Sequence, residues 1–173
     1  TKPNYTAGAV TLSGLAWSMT DALIGIEPSD WKNGARSARL RGTPTTAMDM
    51  LMDRTNGLGD LTFLYRRSGT DAQVAWRVEC STNSGGSWLA IGDFQAPDTD
   101  VVQTFSNAVH LAGTVRVRIR PVTGEAANRR LNIDDIVMTQ YPCPPVGNFY
   151  LPGYSNRILS GTSQVVTGLT AGT

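Results

Sequence analysis

The sequence predicts an all-β protein, an antiparallel β-sandwich with Greek-key or jelly-roll connectivity. Short runs of alternating apolar and polar residues recur through the first 141 residues, and clusters of Gly, Asn, Asp and Ser separate them. No segment shows the periodicity of a long amphipathic helix. Short strands at this spacing are typical of antiparallel sandwiches rather than of βαβ units.

Four runs carry the clearest alternation and predict strands with one buried face. Their apolar faces consist of Ala38 and Leu40; Leu61, Phe63 and Tyr65; Trp76, Val78 and Cys80; and Val115, Val117 and Ile119. In the last run Arg116, Arg118 and Arg120 occupy the opposite face. Residues 47–54 are compatible with a helical turn, but three methionines alternate there well enough to form a strand.

Composition points to a secreted β-protein and excludes a strong electrostatic attraction to polyanions. The formal net charge is +1, 17% of the residues are charged, and there are 18 glycines. Such a charge does not favour nucleic acid or anionic membrane as a partner, so nucleic acid is unlikely on this basis. The sequence has no apolar run of about 18 residues, so no transmembrane span is expected. No signal peptide is visible either.

The run at 130–138 places Asp134 and Asp135 side by side within an alternating segment. Neighbouring residues of a regular strand point to opposite faces, so the pair indicates a β-bulge or one inward carboxylate. An inward carboxylate needs a cation or hydrogen-bond donors, since an unpaired buried charge is costly. We expect the two aspartates to stabilise the closing strand of the sandwich.

The two cysteines do not have the spacing of a metal or thioredoxin-type motif. In an oxidising compartment Cys80 and Cys143 could form a disulfide, and the sequence leaves this pairing open.

The chain is expected to divide after residue 141. Residues 142–145 include three prolines, which cannot lie inside a sheet. The remaining residues are too few to bury a core of their own. We therefore predict a sandwich over residues 1–141, followed by a proline-rich linker and a short tail over residues 142–173.

Several segments together resemble a jelly-roll module of secreted multidomain proteins from Bacteroidetes-type bacteria. In chain order they are YTAGAVTLSGLAW, DALIG, SDWKNGARSARLRG, LTFLYRRSGTDAQVAWRVECSTNSGGSW and LNIDDIVMTQY. The fold implied is similar to concanavalin-like and MAM-type sandwiches. The resemblance also implies an extracellular or cell-surface location and neighbouring domains in the same polypeptide.

The resemblance further implies a structural cation, calcium or sodium, near the closing strand. The ligands carried over are Asp135, Asp134 and Asp21 of the DALIG segment. Modules of this kind usually begin with a Phe-Glu pair, which this sequence lacks. The alternative is a carboxylate that accepts hydrogen bonds from backbone N–H groups or from an Arg.

Two further segments resemble known repeats. Residues 81–88, STNSGGSW, resemble the Asp-box hairpin with Asn83 at the Asp position, a folding unit in which the Asn side chain bonds turn amides and Trp88 packs beneath the hairpin. The tail SGTSQVVTGLTAGT resembles the later strands of a fibronectin type III repeat. This second match covers under a third of such a domain.

The sequence argues against an enzyme. His110 is the only histidine, and it lies in a run that reads as strand, which favours a structural role. No nucleophile elbow, phosphate-binding loop or dinucleotide fingerprint is present, and no motif nominates a pair of catalytic carboxylates.

Binding is the function class that remains. Carbohydrate modules on such folds use exposed aromatic rings that stack on sugars, with polar side chains that read the hydroxyls. The candidates are Trp17, Trp31 and Tyr65 as rings, with Arg66, Arg67, Arg116 and Arg118 as polar contacts. We expect a non-catalytic module that binds a glycan or a cell surface. The alternative is a spacer or protein-interaction module whose tail pairs with a neighbouring domain or chain.

Overall fold

Eleven strands form from the alternating segments of residues 1–141, which are the residues that the computed structural model describes. The strands are β1 Gly8–Leu12, β2 Leu15–Thr20, β3 Ala22–Gly25, β4 Ser37–Leu40, β5 Ala47–Met50, β6 Leu58–Arg67, β7 Trp76–Ser81, β8 Leu89–Phe94, β9 Gln103–Leu111, β10 Arg116–Pro121 and β11 Leu131–Met138. This part of the chain contains no helix.

The strands build two antiparallel sheets that face each other. The six-stranded sheet has the order β1-β2-β5-β10-β7-β8, and the five-stranded sheet has the order β3-β4-β11-β6-β9. The predicted all-β antiparallel sandwich is therefore confirmed. All four runs with clear alternation are strands, and the ambiguous segment at 47–54 contains β5.

One hydrophobic core lies between the sheets. Every strand except β1 contributes a buried side chain, and Val10 and Leu12 of β1 pack against the core while remaining partly buried. Its largest fully buried members are Trp17, Trp76, Phe63, Met19, Leu40, Met48, Met50, Leu58, Leu61, Ile119, Leu131 and Ile133. Phe63 stacks on Phe105 with ring centroids 4.7 Å apart, and Phe94 meets Phe63 edge-on at 5.2 Å. These aromatic pairs join β6, β8 and β9 across the core.

A two-residue turn at Ser13 and Gly14 joins β1 to β2. Both residues have positive φ, 48° and 81°, which matches the backbone twist of a tight hairpin. Leu12 faces Leu15 and Val10 faces Trp17 in the resulting register. β1 is the outermost strand of the six-stranded sheet.

The closing strand β11 contains the predicted bulge. Its register against β6 shifts between Asp134 and Val137, and Asp135 has a φ of 50°. The extra residue lets the two neighbouring carboxylates leave the regular alternation of the strand. Of the two alternatives that the adjacent aspartates left open, a bulge or an inward carboxylate, the structure contains the bulge.

The segment at 26–36, between β3 and β4, is held on the outer face of the five-stranded sheet by a buried polar cluster. Asp30 accepts from Arg39 Nη1 at 3.1 Å and from Asn132 Nδ2 at 3.0 Å. Ser37 Oγ donates to the Trp31 carbonyl at 2.7 Å. All four polar side chains of this cluster are buried, so the loop has one position on the sheet.

Three predictions concern residues outside the described part of the chain. They are the proline-rich linker and tail over 142–173, the resemblance of that tail to a fibronectin type III repeat, and the pairing of Cys80 with Cys143. Cys80 itself is buried in the core, and burial raises the pKa of its thiol to about 12.

Candidate functional site

A row of four polar side chains crosses the outer face of the six-stranded sheet. Ser18 on β2, Asp49 on β5, Arg118 on β10 and Glu79 on β7 are successive partners in the strand register. Directly paired residues of a sheet point to the same face, so the four side chains form a continuous line. We call these four residues the polar row.

Glu79 anchors one end of the polar row. Its carboxylate lies 2.6 Å from Arg118 Nη2 and 2.8 Å from Arg120 Nη2, and its side chain is only 6% exposed. Burial by itself would raise the pKa of Glu79, but the hydrogen bonds from Arg120 and Arg118 outweigh it and hold the pKa below its ordinary value. Glu79 is therefore a fixed carboxylate that orients two guanidinium groups.

Asp49 is paired more weakly than Glu79. Arg118 Nε lies 4.0 Å from Asp49 Oδ1, beyond hydrogen-bond distance, and this oxygen is buried without a partner in the described residues. Burial raises the pKa of Asp49, and the charge of Glu79 adds to the rise while Arg118 opposes it. Asp49 is thus the carboxylate of the row with unused hydrogen-bonding capacity.

Trp88 lies beside the polar row. The guanidinium carbon of Arg118 is 4.3 Å from the centroid of the Trp88 ring, a cation–π contact, and the ring is partly exposed. Arg116, the next Arg on the same face, pairs with Asp53. The structure therefore brings Arg116 and Arg118, two of the predicted contact residues, together with an aromatic ring that the sequence assigned to a hairpin.

The hairpin at 81–88 holds Trp88 in this position. Asn83 Oδ1 accepts from the Ser87 N–H and from Ser81 Oγ, both at 2.8 Å. Gly85 adopts a φ of 91°, which a residue with a side chain rarely tolerates. The predicted role of Asn83 as the residue that bonds turn amides is confirmed.

Arg66 and Arg67 lie on the other sheet and share one carboxylate. Asp100 Oδ1 is 2.8 Å from Arg66 Nη2 and 3.1 Å from Arg67 Nε. Hydrogen bonds from Arg66 and then Arg67 lower the pKa of Asp100, whose side chain is 58% exposed. The four predicted arginines consequently form two separate groups rather than one site.

Trp17 and Tyr65 are core residues, which corrects their prediction as exposed rings. Trp17 is 2% exposed and Tyr65 7%. Trp17 shares the inward face of β2 with Leu15 and Met19, and Tyr65 shares the inward face of β6 with Leu61 and Phe63. The two-residue period of a strand therefore turns both rings inward. Neither ring can stack on a sugar at the surface.

Trp31 lies in the loop at 26–36, apart from the other candidates. Its backbone N–H donates to Asn132 Oδ1 at 3.3 Å, and the residue is only partly buried. The buried cluster around Asp30 holds it over the five-stranded sheet, on the opposite side of the molecule from the polar row.

The predicted cation ligands are not gathered into one site. Asn33 donates from its backbone N–H to Asp134 Oδ2 at 2.8 Å and from Nδ2 to Asp135 Oδ2 at 2.6 Å. Asp21 instead accepts from the hydroxyls of Thr43 and Thr45. Within residues 1–141, no three His, Cys, Asp or Glu side chains are placed to hold a metal ion together. A cation at the Asp134 and Asp135 pair stays a prediction. The alternative named backbone N–H groups, and Asp134 accepts from those of Asn33 and Asp135, whereas Asp135 accepts from a side-chain amide.

His110 is exposed on β9 rather than buried. Its Nε2 lies 3.7 Å from Asp60 Oδ1, and both side chains are more than half exposed. Among the hydrogen bonds of residues 1–141, none joins His110 to a Ser or Cys side chain.

A cleft of about 660 Å³ opens between the two sheets. One wall consists of inward side chains of β1 and β2, including Val10, Leu12 and Trp17, and the other includes Ala38 and Ile133. The bulge with Asp134 and Asp135 forms part of its mouth. The sandwich is therefore incompletely filled beside the β1–β2 hairpin.

The sandwich is similar to solved carbohydrate-binding modules and to an adhesin domain. A family 61 carbohydrate-binding module in complex with β-1,4-galactotriose is 11% identical, with a TM-score of 0.53, 74% of this chain covered and 89% of that chain covered. A variant of the second family 29 carbohydrate-binding module is 12% identical, with a TM-score of 0.53 and coverage of 78% and 88%. The K2 cleaved adhesin domain of Lys-gingipain is 14% identical, with a TM-score of 0.58 and coverage of 72% and 90%.

Residues 1–141 have a jelly-roll β-sandwich fold. No protein-family model matches the sequence, and no curated protein matches it. At these low identities the likeness to the solved structures establishes the fold alone. The described part of the chain contains no helix with the length and apolar character needed to cross a membrane.

Proposed function

We propose that residues 1–141 form a non-catalytic carbohydrate-binding module whose glycan surface is the outer face of the six-stranded sheet. The observation that carries the proposal is the polar row with Trp88 at its side. The row places a partly exposed carboxylate, a hydroxyl and a guanidinium in register, with the buried Glu79 carboxylate orienting the guanidinium. Sugar hydroxyls are read by such fixed donors and acceptors, and an aromatic ring supplies apolar contact to the sugar face.

Preorganisation supports this surface over the Arg66 and Arg67 pair. Glu79 holds Arg118 through a carboxylate that is nearly fully buried, so the guanidinium is already oriented before a ligand arrives. The neighbouring Asp49 side chain is 33% exposed, so a ligand can reach this carboxylate. Asp100, by contrast, covers the Arg66 and Arg67 guanidiniums with a single exposed carboxylate. Rigid polar groups cost less entropy on binding than groups that must first be ordered.

In this proposal the module attaches a larger secreted protein to a glycan or a cell surface. Its partners are the glycan and the neighbouring domains of the same polypeptide. The fold shared with carbohydrate-binding modules and an adhesin domain supports an extracellular attachment role. In this proposal the polar row is the surface that performs that role.

A glycan array followed by affinity gel electrophoresis tests the proposal. Trp88→Ala and Asp49→Asn should each weaken retention on the glycans that bind the natural chain, by about tenfold. Trp31→Ala is the matched control, since it removes an equally large and partly exposed ring from the other side of the molecule. Circular dichroism melts establish that all three variants fold.

Two outcomes contradict the proposal. If no polysaccharide or array glycan retains the natural chain, the carbohydrate function is wrong. If Trp31→Ala abolishes binding while Trp88→Ala and Asp49→Asn retain it, the module binds glycans but the polar row is not the site.

A further inference from the structure

The outer edge of β1 is an unused row of backbone hydrogen-bonding groups. Within residues 1–141, β1 pairs only with β2. The two-residue turn makes Leu12 and Leu15, then Val10 and Trp17, the pairs that exchange hydrogen bonds, so Ala9 and Thr11 direct their N–H and C=O groups away from β2. Four backbone groups therefore face the free edge.

β1 lacks the features that usually protect an edge strand. Its sequence, GAVTL, has no charge and no proline, and its register with β2 is continuous without a bulge. The edge of β3 is different, because the N-terminal segment covers it: Ile24 N–H donates to the Lys2 carbonyl at 2.8 Å, and Asp21 N–H donates to the Tyr5 carbonyl at 3.1 Å. On this side of the sandwich the edge of β1 alone is left open among the described strands.

The cleft between the sheets lies next to this open edge. Val10, Thr11 and Leu12 of β1 line it, and across the gap lie Ile133 and Ile136 of β11. Val10 and Leu12 point inward but remain only partly buried, because both side chains line the cleft. An additional strand needs a hydrogen-bonding edge and room for its side chains on one face. The free backbone groups of β1 and the cleft beside them provide both.

We propose that the edge of β1 binds an extended apolar segment of a partner polypeptide by β-strand addition. The backbone of the segment pairs with Ala9 and Thr11, and alternate side chains enter the cleft against Val10 and Leu12. Asp134 and Asp135 line the cleft together with Arg36, and these two carboxylates against one guanidinium favour a basic residue at one end of the segment. β1 has five residues, so the segment needs about five, with two or three apolar side chains on one face.

A fluorescein-labelled peptide of alternating valine and threonine, with a lysine at each end, is the probe. Fluorescence anisotropy should show saturable binding to the natural chain. Thr11→Pro removes the N–H that faces the free edge without removing a bond to β2, and proline is tolerated at such edge positions. We expect Thr11→Pro to weaken peptide binding about fivefold or more, the loss expected from one unmade hydrogen bond. Thr11→Val keeps the N–H and should bind like the natural chain.

The controls separate this site from the glycan surface. Both Thr11 variants should melt near the temperature of the natural chain and keep glycan retention, because Thr11 pairs with Ala16 rather than with a member of the polar row and lies two strands from Asp49. Equal peptide binding by Thr11→Pro and Thr11→Val overturns the proposal, and so does equal binding of a peptide with proline at every threonine position. A concentration-dependent dimer that Thr11→Pro abolishes in sedimentation also overturns it, since the occupant is then a second copy of the chain.

Discussion

Both carboxylate oxygens of Asp30 lie 3.1 Å from Nη1 of Arg39. The pair lies on the outer face of the five-stranded sheet, a face that is ordinarily exposed to solvent. The Asp30 side chain has no exposed surface, because the loop at 26–36 lies over it. The pair therefore joins a loop to strand β4 through a desolvated ion pair. Breaking such a pair leaves one charge buried without compensation.

Asp30→Ala should lower the free energy of unfolding by about 3–5 kcal/mol, the cost of leaving a buried partner charge unpaired. Urea denaturation measures the loss. Asp93→Ala is the matched control, because Asp93 forms a similar pair with Arg77 at 2.7 Å but is 47% exposed. Exposed pairs contribute little, so the control should lose far less. Equal losses in the two variants would contradict the role assigned to burial.

The ion pairs of Glu79 predict a specific pH dependence of stability. The folded-state pKa of Glu79 lies below its ordinary value of 4.5, so its contribution is fully present above pH 4.5 and is lost as the pH falls through the folded-state value. Glu79→Gln should therefore be less stable than the natural chain at neutral pH, and the difference should shrink below pH 4.5. Urea denaturation at a series of pH values measures both. A difference that stays constant down to pH 3 would exclude this linkage.

The hairpin at 81–88 depends on one amide side chain. Asn83→Ala removes acceptors for the Ser87 N–H and Ser81 Oγ, and should destabilise the chain by about 1–2 kcal/mol. Asn83→Asp keeps both acceptor bonds and should lose less. Thermal unfolding compares the two variants, and the near-ultraviolet signal of Trp88 reports the hairpin directly. Similar stability for Ala and Asp at this position would show that the acceptor oxygen is unimportant.

The predicted cation at Asp134 and Asp135 has a thermal test. Calcium that binds only the native state raises the melting midpoint with concentration. The rise should disappear in Asp135→Asn, which keeps the shape of the bulge but loses the charge. Identical midpoints in chelator and in excess calcium would leave Asn33 as the partner of both carboxylates.

Buried Cys80 should react slowly with thiol reagents. Its pKa is raised to about 12 by burial, and the thiolate is the reactive form. After reduction of the protein, the Cys143→Ser variant should therefore react with an aromatic disulfide reagent only upon unfolding in urea. Rapid reaction of this variant under native conditions would place Cys80 nearer the surface.

Local alternation was sufficient to predict the strands that form the middle of both sheets. β4, β6, β7 and β10 each have one apolar face, and the structure buries that face. The same rule, applied consistently, also turns Trp17 and Tyr65 inward. Their prediction as surface rings gave too much weight to residue type and too little to position within the strand.

The candidate site could be predicted only in part, because its contacts join distant segments. The sequence singles out Arg116 and Arg118 by alternation and Trp88 by its hairpin. The partnership of Arg118 with Glu79 and Asp49 depends on which strands become neighbours in the sheet. The Asp30 cluster is similar, since Asn132 and Arg39 reach it from two other strands. No local pattern contains that information.

The bulge in β11 changes which residues, odd-numbered or even-numbered, face the core along the strand. Before it, the odd-numbered Leu131 and Ile133 lie in the core, and after it the even-numbered Ile136 and Met138 pack against the core while Val137 is exposed. If residues 131–138 kept regular alternation without a bulge, Val137 would face inward and the other two residues outward. Deleting Asp135 would instead give a regular strand in which Ile136 and Met138 still face inward. The bulge thus accommodates one extra residue while the strand contributes to the filled core at one end and to the cleft at the other.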